Sequence, residues 1–132
     1  MEQQKLVDFW LENAKSDIEA AQAMQNIKHY MYVAFMCQQC VEKALKAYYI
    51  YQKDDNHPFT HNLIQLAQLS NLHSQMNENQ RNILLKLNPF YIKARYADYK
   101  DNLKDLLTDS YCKKLIEETK ELFLWIEQSM KS

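Results

Sequence analysis

Several groups of residues in the 132-residue chain have the types and spacing that chemistry requires. Cys37 and Cys40, at i and i+3, would put two thiols on one face of a helix, within reach of one soft metal. Beside them stand Gln38 and a strip at i, i+3, i+4 and i+7, Gln39, Glu42, Lys43 and Lys46, which lines up amide, carboxylate and ammonium groups. His57 and His61 flank a break in the chain. The stretch "YIKARYADY", residues 91–99, sets Arg95 and Asp98 among Tyr91, Tyr96 and Tyr99. An arginine grips phosphate through two parallel N–H bonds while a tyrosine stacks on a base, a combination used on nucleotides and single strands.

Each group also has a plainer reading. A structural zinc site needs four ligands, and the chain has no second Cys-x-x-Cys and no close histidine pair besides His57 and His61. A redox Cys-x-x-Cys opens a helix after a strand, and no strand is predicted. The cysteines therefore read as small core hydrophobes, with no metal or cofactor expected. The polar strip reads as a solvated face, with a Gln39 to Lys43 contact and a Glu42 to Lys46 pair each worth a few tenths of a kcal/mol. Its rival is a row of donors along a groove suited to phosphate or base edges. His61 at a helix start is expected to cap or to make a tertiary hydrogen bond, and His29 and His73 show no evident partner. Arg95 either holds phosphate or braces Asp98 or a helix end, and both accounts stand on the sequence alone.

The elements that must position these groups are helices. Glycine is absent and the prolines are Pro58 and Pro89, so Gly-rich phosphate loops are excluded. The apolar stripe Val7, Leu11, Ala14, Ile18, Ala21 predicts a first helix over about residues 3–25. After the turn "NIKHY", a second helix runs over about 30–52 on the stripe Ala34, Cys37, Val41, Leu45, Tyr48. It is apolar on its remaining faces too (Tyr32, Phe35, Met36, Tyr49, Ile50), so it is either central or half of a dimer interface. "KDDNHP" breaks the chain. A short helix then buries Leu63, Leu66, Ala67 and Leu69 or Ser70, with Thr60 as its expected N-cap. Asn77 and Gln80 form the signature of a capping box for a helix through Leu87. The aromatic stretch from Asn88 onward is expected to be an irregular connection, and Thr108 or Asp109 to cap a last helix on Tyr111 or Cys112, Leu115, Leu122 and Ile126. The expected fold is all-α: one domain over residues 1–132, an up-and-down antiparallel bundle of four main helices plus a short extra one.

Sixteen basic against seventeen acidic residues, a formal net charge of -1, leave no global basic field to gather nucleic acid. The opening "MEQQKLVDFWLENAK" has neither a basic leader nor an uninterrupted apolar run, and three cysteines fit reduced thiols, so a cytoplasmic protein without membrane contact is expected.

"AFMCQQCVEKALKAYYI", "HPFTHNLIQL" and "NPFYIKARYADY", in that order, resemble a HEPN domain, and "AKSDIEAAQAM" fits the family's first helix. The resemblance implies a four-helix bundle that usually dimerises, beside a minimal nucleotidyltransferase in toxin–antitoxin or defence systems. It carries Phe35, Gln39, Glu42, Lys43 and Lys46 onto the family's second helix, and His61 onto the histidine before the third. Tyr91, Arg95, Tyr96 and Asp98 match its Arg-Tyr-Pro-Asp-like stretch, with Ala97 in place of proline. Ribonuclease members resemble one another in an Arg-x4–6-His motif. Here Arg95 is followed at those spacings by Lys100, Asp101 and Asn102, and Arg81 by Lys86, Leu87 and Asn88. Lacking that histidine, the chain is expected to be a homodimeric, non-catalytic nucleotide or nucleic-acid phosphate binding module. The alternatives are a metal-independent ribonuclease pairing Arg95 with His61, and a purely structural dimer partner.

Overall fold

The computed structural model describes residues 2–54, 56–93 and 105–131, without the side chains of 92 and 93. Its helices are α1 (Glu2–Asn26), α2 (Tyr30–Lys53), α3 (Leu63–Leu69), α4 (Glu78–Leu87), α5 (Phe90–Lys93) and α6 (Asp109–Gln128), with a 3₁₀ turn at His73–Gln75. The described residues hold no strand, and none of their helices is long and apolar enough to cross a membrane.

A short turn sends α2 back along α1, and these two helices share the most extensive interface; α6 packs on both. Helices α3, α4 and α5 also pack on α2, which makes α2 the central element. On its remaining apolar faces Ile50 is buried, Phe35, Met36 and Tyr49 are partly buried, and Tyr32 stays half exposed. The whole expected stripe, Ala34 to Tyr48, lies in the core with Leu63, Leu84, Leu115 and Ile126. Each fully buried leucine of that set contributes roughly 1.5–3 kcal/mol of burial.

A chain without glycine must still end its helices, and it does so at a conformational cost. Lys28, Asp54 and Asn71 take the left-handed backbone at φ 64°, 51° and 65°. At the end of α1, Lys28 N–H reaches Gln25 O at 3.1 Å and His29 N–H reaches Met24 O at 2.8 Å. That is a Schellman closure with lysine where glycine is usual. Asn71 and Leu72 repeat it after α3. At the end of α2, Asp54 N–H closes onto Ile50 O at 2.8 Å, and Gln3 Nε2 donates to Ile50 O and Tyr51 O, both at 3.0 Å, adding a side-chain partner to the carbonyls of the last turn.

Two local expectations change. The N-cap of α3 is Asn62 rather than Thr60, because Asn62 Oδ1 accepts from the amides of Ile64 and Gln65 at 3.0 and 3.1 Å. Thr60 Oγ1 sits one step further out, accepting from Asn62 N and donating to Gln65 Oε1. The connection after Pro89 starts as helix α5, with Phe90 buried in the core. The Asn77–Gln80 capping box forms, and Thr108 caps α6 through Tyr111 N at 3.2 Å.

Candidate functional site

Glu42 is the hub of the site. It lies on the inward side of α2, almost fully buried, where an uncompensated carboxylate would be very costly. Three donors meet it. Lys46, one turn on, donates to Oε2 at 2.8 Å. His61, brought back by the connection to α3, places Nδ1 at 2.9 Å from the same oxygen. Gln38, one turn earlier, donates to Oε1 at 3.0 Å and also to His61 O at 3.3 Å. Burial pushes the Glu42 carboxyl up, but the bonds from Lys46, His61 and Gln38 outweigh it and hold it below its ordinary value.

The strip is thus not the solvated face that spacing favours. The Glu42–Lys46 pair exists but is buried, and the Lys46 ammonium stands 5.5 Å from the Trp10 ring centre. Gln39 donates to Gln38 Oε1 at 2.7 Å rather than meeting Lys43. Lys43 turns to α1 and lies 2.9 Å from Asp17 Oδ2. The reason is the central position of α2: its flanks are covered by neighbouring elements, so one-turn pairs such as Glu42–Lys46 are buried and tertiary partners, Asp17 for Lys43 and His61 for Glu42, join them.

An ionised carboxylate only accepts, so its bond places a proton on His61 Nδ1 and leaves Nε2 as the ring nitrogen turned away from Glu42. The His61 side chain is 46% exposed. Its ring stacks on Tyr91 of α5 at 3.7 Å between centres and 25° between planes. Around this pair opens a cleft of about 390 Å³ lined by Phe59, Thr60, His61, Asn62, Asn88 and Tyr91. Asn88 ties it together: Oδ1 accepts from Leu63 N at 2.8 Å and Nδ2 donates to Asn62 Oδ1 at 3.2 Å.

Of the residues singled out by sequence, Gln39, Glu42, Lys46, His61 and Tyr91 are brought together. Lys43 points to Asp17 on another face of α2. Arg95, Tyr96 and Asp98 lie outside the described residues. Arg81 braces the loop before α4, with Nε and Nη2 both on His73 O at 3.1 and 3.0 Å. Sequence reasoning missed Trp10, Phe59, Asn62 and Asn88. Asn62, directly before the apolar Leu63, carried an N-cap signal; the others owe their place to tertiary packing alone.

Cys37, Cys40 and Cys112 are buried, free thiols. Burial pushes Cys37 up to about 12, Cys112 to about 11 and Cys40 well above its usual range, so none is a ready thiolate. Among the described residues, no cluster of three His, Cys, Asp or Glu could hold a metal ion.

A bundle with a central helix, and a histidine held over it by a buried glutamate, is the class of protein defined so far. Residues 7–129 match the family profile described as "HEPN domain", and the chain belongs to that family. Among solved structures it is similar to TT1696 from Thermus thermophilus, with a TM-score of 0.79 and 20% identity over 92% of this chain and 96% of that one. It is also similar to ST0689, described as an archaeal HEPN homologue, with a TM-score of 0.74 and 20% identity over 95% and 98%. A search of curated proteins finds no match.

Proposed function

We propose that this HEPN-domain chain is a non-catalytic module that binds the phosphate of a nucleotide or of nucleic acid. It acts as a homodimer beside a minimal nucleotidyltransferase, in a system of the toxin–antitoxin or defence type. The observation that carries the reading is the exposed His61 imidazole, held by Glu42 and stacked on Tyr91 at the edge of a cleft. Lys43 and Lys46 are engaged by carboxylates, so the cation for phosphate is assigned to Arg95, four residues after Tyr91 in the sequence. Arg95→Lys is expected to weaken binding of a short oligoribonucleotide roughly tenfold while leaving thermal stability nearly unchanged, because a point ammonium cannot copy a two-pronged contact. A loss of stability with unchanged binding would make Arg95 a strut and overturn the assignment.

One observation favours the ribonuclease reading. The carboxylate on His61 Nδ1 orients the ring as a general acid–base needs, with Nε2 left for proton transfer. Incubating the protein with RNA in a chelator decides between the two. Turnover that disappears in His61→Ala would establish the enzyme; no turnover is expected.

A further inference from the structure

Phe59 is entirely exposed, at 100%. A single exposed phenylalanine is ordinary, but this one is held in place. Thr60 N–H bonds to Pro58 O at 3.0 Å, closing a tight turn around Phe59. The ring is propped edge-on by His57 at 6.0 Å and 66°, and His57 in turn stands against Trp10 at 4.9 Å and 89°. The row Trp10, His57, Phe59 therefore ends in an aromatic ring presented to solvent at the cleft that the His61–Tyr91 stack also lines.

The rest of the lining supplies hydrogen-bonding groups and no acid: Thr60, Asn62 and Asn88. Asn62 Oδ1 is taken by Ile64 N, Gln65 N and Asn88 Nδ2, while Asn62 Nδ2 has no partner among the described residues. The amide thus offers donors rather than acceptors. Purine ring nitrogens are acceptors, and their two fused rings give the larger stacking face.

We propose that Phe59 is the platform of a base-stacking subsite in this cleft, taking a purine base of a nucleotide or single strand; this rests on the phosphate-binding reading above. Stacking on an aromatic side chain is sequence-tolerant and shows up on alanine substitution as a loss of several-fold to about a hundredfold in affinity per base.

The test compares a short oligoadenylate with an abasic ribose-phosphate oligomer of equal length, measured by fluorescence anisotropy on wild type, Phe59→Ala and Phe59→Trp. Wild type should bind the adenylate roughly tenfold more tightly than the abasic strand. Phe59→Ala should erase that gap without changing abasic binding, and Phe59→Trp should keep it. Since Phe59 is fully exposed, the variants are expected to fold as wild type does. Equal wild-type binding of both strands, or a gap that survives in Phe59→Ala, would overturn the subsite and leave the phosphate reading standing. Binding of neither strand would overturn the phosphate reading itself, and the subsite with it.

Discussion

Lys43 and Lys46 lie three residues apart on α2, and each faces a carboxylate: Lys43 meets Asp17 of α1 at 2.9 Å, and Lys46 meets Glu42 at 2.8 Å. The distances are alike and the consequences are opposite. Asp17 is held above its ordinary value, because burial pushes its carboxyl up more than Lys43 pulls it down. Glu42, the more buried of the two, is held below. The difference is in the donors. Asp17 meets the single ammonium of Lys43, whereas Glu42 receives three bonds. Burial is outweighed where three donors converge on the carboxylate and is not outweighed where one ammonium stands alone.

The largest expected effect comes from removing the hub. Glu42→Ala strands Lys46, whose side chain is 8% exposed, and frees His61 and Gln38 together. Breaking one partner of a buried pair costs roughly 3–5 kcal/mol. Asp17→Ala leaves Lys43 with a side chain 23% exposed, able to reach water, and should cost on the order of 1 kcal/mol. Urea unfolding of the two variants measures both, and equal losses would erase the distinction between the two pairs. The double variant Glu42→Met, Lys46→Met should recover most of the loss, because an apolar pair of similar size leaves no stranded charge.

Acidity sharpens the contrast. Glu42 has a depressed folded value, so its stabilisation is complete above the ordinary carboxylate value near 4.5 and is lost as pH falls through the lower folded value. Asp17 has a raised folded value, so its contribution is complete below the ordinary value near 3.8 and is lost as pH rises through the folded one. As pH falls from neutral, Glu42 should therefore lower the urea midpoint and Asp17 raise it. The acid limb should flatten in Glu42→Gln and steepen in Asp17→Asn. The same slope in both variants would show that the two groups are not opposed.

The bundle was legible because its signals are local. The stripe from Val7 to Ala21 and that from Ala34 to Tyr48 give α1 and α2 to within a residue or so at each end, and Asn77 with Gln80 marks the start of α4. The site was legible in part. Spacing finds the Glu42–Lys46 pair, but not that it is buried, because burial depends on α2 being covered by the other helices. The meeting of Glu42 with His61 spans nineteen residues and the stack of His61 on Tyr91 thirty, separations that no periodicity reports. Trp10 under Lys46 and Asn88 behind Asn62 are further examples.

The smallest effect is the most discriminating, because it uses one isosteric exchange at two places. Asp17→Asn removes a charge that burial already disfavours and keeps the shape of the side chain. The lost attraction to Lys43 and the relieved desolvation of the carboxylate oppose each other, so stability near neutral pH should change by less than about 1 kcal/mol. Glu42→Gln makes the same exchange where three donors converge. An amide accepts through one oxygen only, and its NH2 group faces donors where the second carboxylate oxygen stood. That leaves at least one buried donor unmet, and unmet buried donors cost about 1–3 kcal/mol, more when charged. Glu42→Gln should therefore be clearly less stable than Asp17→Asn by urea midpoint. A Glu42→Gln protein as stable as Asp17→Asn would mean that the three donors at Glu42 do not do more for their carboxylate than the single lysine does for Asp17.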